Sequence, residues 1–171
     1  MTREPERFKT WAQAKISEIY QSENIIQTYQ RLCEKEKSFA AYPKEAFGFE
    51  YICLRLAIGC IAWINACREN NISEKAIQNV FLKSVMSSFE TPKSLPIASA
   101  FSEYLYSPDG IRKNDEIVPL VAKMFERLEA KRAAGKKKID QKIIESVKTL
   151  IAMSESTRMS FENEFLELAN S

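Results

Sequence analysis

The sequence contains no histidine among its 171 residues, and this absence excludes several classes of enzyme. Histidine is the usual general base near neutral pH and a common metal ligand. Its absence rules out Ser-His-Asp and Cys-His nucleophile systems, histidine-ligated haem and Glu-x-x-His iron sites. Gly-rich phosphate loops and Gly-x-Ser-x-Gly are missing as well. We therefore expect a protein that is not an enzyme and that uses no cofactor.

Glycine and proline are also scarce, with four and six copies. Because so few residues favour turns, the sequence favours long helices over a sheet joined by many turns. Apolar residues recur at steps of three and four along most of the chain, and no segment alternates convincingly at period two. We predict an all-α fold: a single domain over residues 1–171, a bundle of six or seven helices around a central apolar helix at about 44–70.

Cap and turn residues predict the remaining helices at about 5–38, 74–89, 96–106, 118–134 and 140–169. The pattern leaves open whether 5–38 and 140–169 are each one helix or two. Pro108, Asp109 and Gly110 predict a turn after the 96–106 helix. Gly135 and Asp140 are typical of a helix stop and a helix cap.

The amino-terminal sequence lacks the apolar run of about 7–15 residues that a secretory signal carries. Four cysteines are then expected to be reduced thiols rather than disulfides. The formal net charge of +2 is too small to indicate a nucleic-acid or membrane partner by itself. We expect a cytoplasmic protein.

Three of the cysteines, Cys53, Cys60 and Cys67, recur every seven residues in the most apolar segment. Seven residues of helix span about 10.5 Å, which is too far for a disulfide or for one shared zinc ion. Arg55 and Asn65 inside the apolar run also disfavour a membrane span, because charged and polar side chains are costly in a bilayer. We interpret the thiols as core packing, with no metal site.

Positive charge is concentrated in residues 123–142, which hold eight basic and three acidic side chains. The candidate contacts for a polyanion or a partner protein are Arg127, Lys131, Arg132, Lys136, Lys137 and Lys138. A solvated helix end explains the same charges, because cations favour the carboxyl end of a helix. No helix-turn-helix, zinc finger or aromatic RNA-binding signature accompanies the segment.

Aromatic side chains are dense in two short segments that flank predicted helices. The candidates for a partner groove or an apolar pocket are Phe39, Tyr42, Phe47, Phe49, Tyr104 and Tyr106. Ordinary core packing at the end of a bundle is the competing interpretation.

Together these features favour a non-catalytic intracellular protein that acts by protein–protein interaction, as an adaptor, a regulatory subunit or a self-associating chain. One alternative is a nucleic-acid-binding accessory protein that uses the basic 123–142 segment. Another is a helical bundle that binds an apolar small molecule between its helices.

Overall fold

Helices form most of the chain in the computed structural model, which describes residues 5–90, 95–132 and 143–171. The α-helices are α1 (Pro5–Ile19), α2 (Ser22–Lys35), α3 (Lys44–Glu69), α4 (Lys75–Gln78), α5 (Val80–Ser87), α6 (Leu95–Leu105), α7 (Ile117–Arg132) and α8 (Ile144–Asn170). Short 3₁₀ turns lie at Lys37–Ala41 and Asn114–Glu116. The predicted all-α class is confirmed.

Helix α3 lies at the centre of the bundle and packs against α1, α2, α5, α6, α7 and α8. Its neighbours approach closely because Gly59 has no side chain: a Cβ there would lie 2.8 Å from the Phe81 ring and 3.0 Å from the Phe161 ring. Trp63 is also buried, and its indole N–H donates to the carbonyl of Ile77 at 2.9 Å. The predicted central apolar helix is confirmed.

The structure resolves two choices that the sequence left open and divides one predicted helix. Segment 5–38 forms two helices, because Gln21 adopts an extended backbone between α1 and α2. Helix α8 is continuous from Ile144. The predicted 74–89 helix is interrupted at Asn79, whose side-chain amide donates to the Lys75 carbonyl at 3.1 Å, a local bond that competes with helix continuation. The described residues therefore contain eight α-helices rather than six or seven.

A two-stranded hairpin joins α6 to α7 and contains the predicted turn. Strands β1 (Tyr106–Ser107) and β2 (Gly110–Ile111) are antiparallel, and Gly110 has the positive φ of 115° that favours glycine. The Arg112 guanidinium donates to the Tyr104 carbonyl at 3.0 Å and pairs with Glu116 at 2.9 Å. The predicted helix stop at Gly135 and the cap at Asp140 lie outside the described residues.

Candidate functional site

The cations of α7 that the sequence singles out are paired with carboxylates of the bundle. Arg127 Nε lies 2.8 Å from Glu50 Oε2, and its Nη1 lies 2.8 Å from Glu103 Oε2. Lys131 Nζ lies 2.6 Å from Glu50 Oε1, and the Tyr104 hydroxyl donates to Glu50 Oε2 at 2.7 Å. We call these five residues the α7 network.

Glu50 is the centre of the α7 network and is fully buried. Burial alone would raise the pKa of Glu50, but the ion pair with Lys131 and the hydrogen bonds from Arg127 and Tyr104 outweigh it and hold that pKa below its ordinary value. Burial and the Glu50 carboxylate both raise the pKa of Tyr104. The network therefore keeps Glu50 ionised and Tyr104 protonated, which suits a fixed ion pair better than proton transfer.

Arg132, the next candidate cation, is also buried and paired inside the protein. Its Nη2 lies 2.9 Å from Glu129 Oε2. Glu129 in turn accepts a hydrogen bond from the hydroxyl of Tyr42, and burial followed by that bond raises the pKa of Tyr42. The remaining candidates of the basic segment, Lys136, Lys137 and Lys138, lie outside the described residues.

The six candidate aromatic residues divide by exposure. Four of them are buried in the core: Phe39, Tyr42, Phe47 and Tyr104. Phe49 is half-buried, and the Lys131 ammonium lies 3.8 Å from the centre of its ring, within cation–π range. Tyr106 on β1 is 46% exposed and is thus the candidate aromatic most available to a partner.

A second charged region lies between α2 and α8, with α3 behind it. Three adjoining depressions with volumes of about 230, 420 and 560 Å³ share Thr157 at their border. We call them together the α2–α8 trough and define it by Arg31 and Lys35 of α2, Arg55 of α3, and Met153, Ser156 and Thr157 of α8.

Side-chain bonds between α2 and α8 fix the walls of the trough relative to each other. The Glu36 carboxylate, just after α2, accepts the Ser146 amide N–H of α8 at 2.9 Å and the Glu145 N–H at 3.3 Å. A carboxylate at a helix amino terminus is favourable because it satisfies free N–H groups and meets the positive end of the dipole. The Ser146 hydroxyl also donates to the Leu32 carbonyl at 3.3 Å.

Three cations of the trough differ from those of α7 because they have no carboxylate partner in the described chain. Arg31, Lys35 and Arg55 form no ion pair with any carboxylate in the described part of the chain. Arg31 and Lys35 are exposed, whereas Arg55 is half-buried on the central helix. These three cations are available to an external anion.

Arg55 has an unusual environment for a cation without an anionic partner. Its guanidinium lies 5.9 Å from the centre of the Tyr51 ring. Its Nε is shielded from solvent and makes no hydrogen bond to the described residues. A buried donor left without an acceptor costs about 1–3 kcal/mol.

Among the residues that the structure describes, the carboxylates that line the trough are Glu18 and Glu164, and one lysine holds both. Lys15 Nζ lies 2.7 Å from Glu164 and 3.3 Å from Glu18. Desolvation lowers the pKa of Lys15, but its bonds to Glu164 and Glu18 together raise that pKa by more. The pKa of Lys15 therefore lies above its ordinary value. These carboxylates are therefore partly neutralised and leave the positive charge at Arg31, Lys35 and Arg55 uncompensated.

The three cysteines of α3 are fully buried, as the packing interpretation predicts. Burial raises the pKa of Cys53 to about 12 and also raises the pKa of Cys60. Cys33 of α2 is half-buried. Within the ranges that the structure describes, no group of His, Cys, Asp or Glu side chains has the arrangement of a metal site.

Helix α3 is long and apolar enough to cross a membrane by length and composition, and 72% of its most apolar window is buried inside this bundle. A core helix passes the same test. Comparisons with protein-family models, with curated proteins and with solved structures found no match to this chain. Its function must therefore be argued from its own residues.

The trough is the feature that the sequence analysis missed. Two signals for it exist in the sequence. Arg31 and Lys35 are four residues apart and share one face of α2, and Arg55 is a solitary cation inside the most apolar helix. Neither signal shows that α2 and α3 both pack beside α8, because local spacing does not encode the pairing of helices that are distant in sequence.

Proposed function

We propose that this chain is a non-catalytic intracellular protein that acts by protein–protein interaction and binds an acidic segment of a partner polypeptide in the α2–α8 trough. The observation that carries the proposal is the set of unpaired cations, Arg31, Lys35 and Arg55, on one continuous concave surface. Charge complementarity of this kind steers association and selects partners of opposite sign.

The dimensions of the trough suit a short piece of extended chain. Thr149 and Ser160 border it on α8 and are eleven residues apart, which is about 16 Å along a helix. An extended chain advances about 3.3 Å per residue, so about five residues of a partner would fill that length. The polar lining of the trough favours a peptide over an apolar small molecule, because three cations and several hydroxyl groups line the trough.

The α7 network supports a binding function rather than catalysis or nucleic-acid binding at the α7 surface. Arg127 and Lys131 already neutralise Glu50, and contact with a phosphate backbone would compete with a buried carboxylate for them. Tyr106, with its exposed ring beside the α6–α7 hairpin, offers a second contact for a protein partner.

The test measures binding of fluorescein-labelled hexaglutamate by fluorescence anisotropy at low ionic strength. The double variant Arg31→Gln and Arg55→Gln should bind at least about tenfold more weakly, because a hydrogen bond to a charged group contributes roughly 1.5–3 kcal/mol. The matched control is Lys75→Gln with Lys83→Gln, which removes the same charge from exposed positions on α4 and α5.

The control should weaken binding much less than the trough variant, since both double variants lose the same net charge and only the trough variant also loses direct contacts. Equal weakening by the two pairs of substitutions, or no binding of hexaglutamate at all, would contradict the proposal. Tighter binding of an oligothymidylate of the same length would favour the nucleic-acid alternative instead.

A further inference from the structure

We infer that the part of the trough between Arg31 and Arg55 is a binding site for a phosphomonoester, carried by a phosphoserine or phosphothreonine of the acidic partner segment. The inference rests on the proposed function and specifies the chemical group that the partner presents. Arg31 and Arg55 line the same depression of about 420 Å³, Arg31 from α2 and Arg55 from α3. Two arginines that face one cavity from different helices are a common arrangement for phosphate recognition.

The charge of the trough matches a phosphate better than a single carboxylate. Its charged side chains are the cations Lys15, Arg31, Lys35 and Arg55 and the carboxylates Glu18 and Glu164, a balance of +2. A phosphomonoester carries about −1.5 to −2 at neutral pH, whereas a carboxylate carries −1. Glu18 also borders the 420 Å³ depression, but Lys15 holds it at 3.3 Å.

The hydrogen-bonding groups of the trough also fit a phosphate. Arg55 lines the depression from the central helix. Because the protein shields its Nε from solvent, a phosphate would meet the outer nitrogens of the guanidinium. The exposed Ser156 hydroxyl makes no hydrogen bond to the described residues, whereas the Thr157 hydroxyl donates to the Met153 carbonyl at 2.9 Å and is already used. Ser156 lines the two depressions on either side of the one shared by Arg31 and Arg55. A phosphate has three acceptor oxygens for the two guanidinium groups, whereas a carboxylate has two.

The test compares three labelled peptides of sequence Gly-Glu-Glu-X-Glu-Glu-Gly, in which X is serine, phosphoserine or glutamate, in phosphate-free buffer. We expect the phosphoserine peptide to bind about tenfold or more tightly than the glutamate peptide, because it adds charge-assisted hydrogen bonds. The variant Arg55→Lys keeps the charge but loses the Nε donor and the planar guanidinium. It should lose most of the preference for phosphoserine and still bind the glutamate peptide.

A second readout follows the side-chain Nε–H resonance of Arg55 by NMR as phosphoserine peptide or inorganic phosphate is added. A shift of this resonance with the phosphoserine peptide, absent with the serine peptide, would support the inference. Equal binding of the glutamate and phosphoserine peptides would overturn the inference and leave the proposed function standing. Failure of all three peptides would overturn both.

Inorganic phosphate distinguishes a peptide-borne group from a free anion. If it shifts the Arg55 resonance while the phosphoserine peptide binds no better than the serine peptide, the site takes a free anion and the inference about the partner is wrong. If inorganic phosphate instead competes with the phosphoserine peptide for binding, the phosphate group itself is confirmed as the recognised element.

Discussion

The α7 network and the α2–α8 trough both collect cations on the same bundle, but the two sets of cations have opposite roles. In the α7 network, Arg127 and Lys131 neutralise Glu50, a carboxylate that is fully buried. In the trough, Arg31, Lys35 and Arg55 meet no carboxylate of the described chain at ion-pair distance. We therefore expect loss of charge to destabilise the first region much more than the second.

This difference shows why a local excess of positive charge is a poor guide to a binding surface. If a cation leaves its buried acid, the acid keeps an unpaired charge in the protein interior, and the desolvation of that charge is costly. A cation that stabilises nothing inside the protein is free to bind an external group, and functional sites commonly retain such groups at some expense of stability. Pairing, rather than the number of charges, separates the two regions.

The largest expected effect distinguishes a thiol of α2, the helix that carries Arg31 and Lys35, from a thiol of α3 near Glu50. Cys33 lies between Arg31 and Lys35 on α2, and Cys53 follows Glu50 by one turn of α3. With a bulky disulfide reagent at pH 8, we expect Cys33 to react at least about 1,000-fold faster than Cys53, because a buried thiol reacts only after the protein opens. Mass spectrometry of digested samples would assign the labelled residues.

The same reagent applied in concentrated urea should label all four cysteines at similar rates, which controls for intrinsic reactivity. Fast labelling of Cys53, Cys60 or Cys67 in the native protein would contradict the central position of α3 and with it the burial of Glu50.

The second largest effect is expected from a substitution that breaks the α7 network. The variant Arg127→Met removes one of the two cations that face Glu50 and leaves this carboxylate buried with Lys131 and Tyr104. Loss of a partner from a buried pair typically costs 3–5 kcal/mol, and we expect about 2 kcal/mol here because Lys131 remains and Arg127 is partly exposed. Urea unfolding would measure the change in the free energy of unfolding.

Arg68→Met is the matched control, because Arg68 is an exposed cation at the end of α3 without an ion pair in the described chain. Its free energy of unfolding should change by less than about 0.5 kcal/mol. A loss of the same size in both variants would show that the α7 pairing contributes nothing to stability.

The sequence predicts the fold well and the charged sites poorly, for a physical reason that Glu50 illustrates. Apolar spacing predicts α3 and the burial of its thiols because a helix repeats its surface every 3.6 residues. The same helical wheel places Glu50 on the polar arc with Arg55 and Asn65, and nothing in that spacing marks Glu50 as buried. In the folded protein, α6 and α7 cover Glu50 and supply Tyr104, Arg127 and Lys131.

The pairing partners of Glu50 lie more than 50 residues away in sequence, so no local pattern reveals them. The trough is hidden for the same reason, since its walls come from α2 and α8 and its floor from α3. Of the twelve candidate site residues, Arg127, Lys131 and Tyr104 meet around Glu50, an acid that was not a candidate, and Phe49 contacts Lys131.

A smaller effect is the pH dependence that the α7 network gives to stability. Hydrogen bonds hold the pKa of Glu50 in the folded protein below its ordinary value of 4.5, although burial opposes them. The unfolded chain therefore binds more protons than the folded protein near pH 4, and the stabilisation by ionised Glu50 is present above pH 4.5 and lost as pH falls through the folded pKa.

The variant Glu50→Gln cannot ionise at this position, so its difference in stability from the unmodified protein should be largest at neutral pH. Unfolding by urea at pH 7, 5, 4 and 3 would measure this difference. If the difference instead grew as the pH fell, the Glu50 carboxylate would have a raised pKa and the ion pairs with Arg127 and Lys131 would not form in solution.

The smallest expected effect on stability comes from the trough and completes the comparison. Arg55→Met removes a cation whose Nε is shielded and unpaired in the described chain, so the free energy of unfolding should change by less than about 0.5 kcal/mol or should rise. Urea unfolding measured beside Arg127→Met would test this, and hexaglutamate binding to both proteins should give the reverse order of losses. A loss near 2 kcal/mol in Arg55→Met would show that Arg55 is structural, because a cation reserved for an external anion contributes its energy only when that anion is bound.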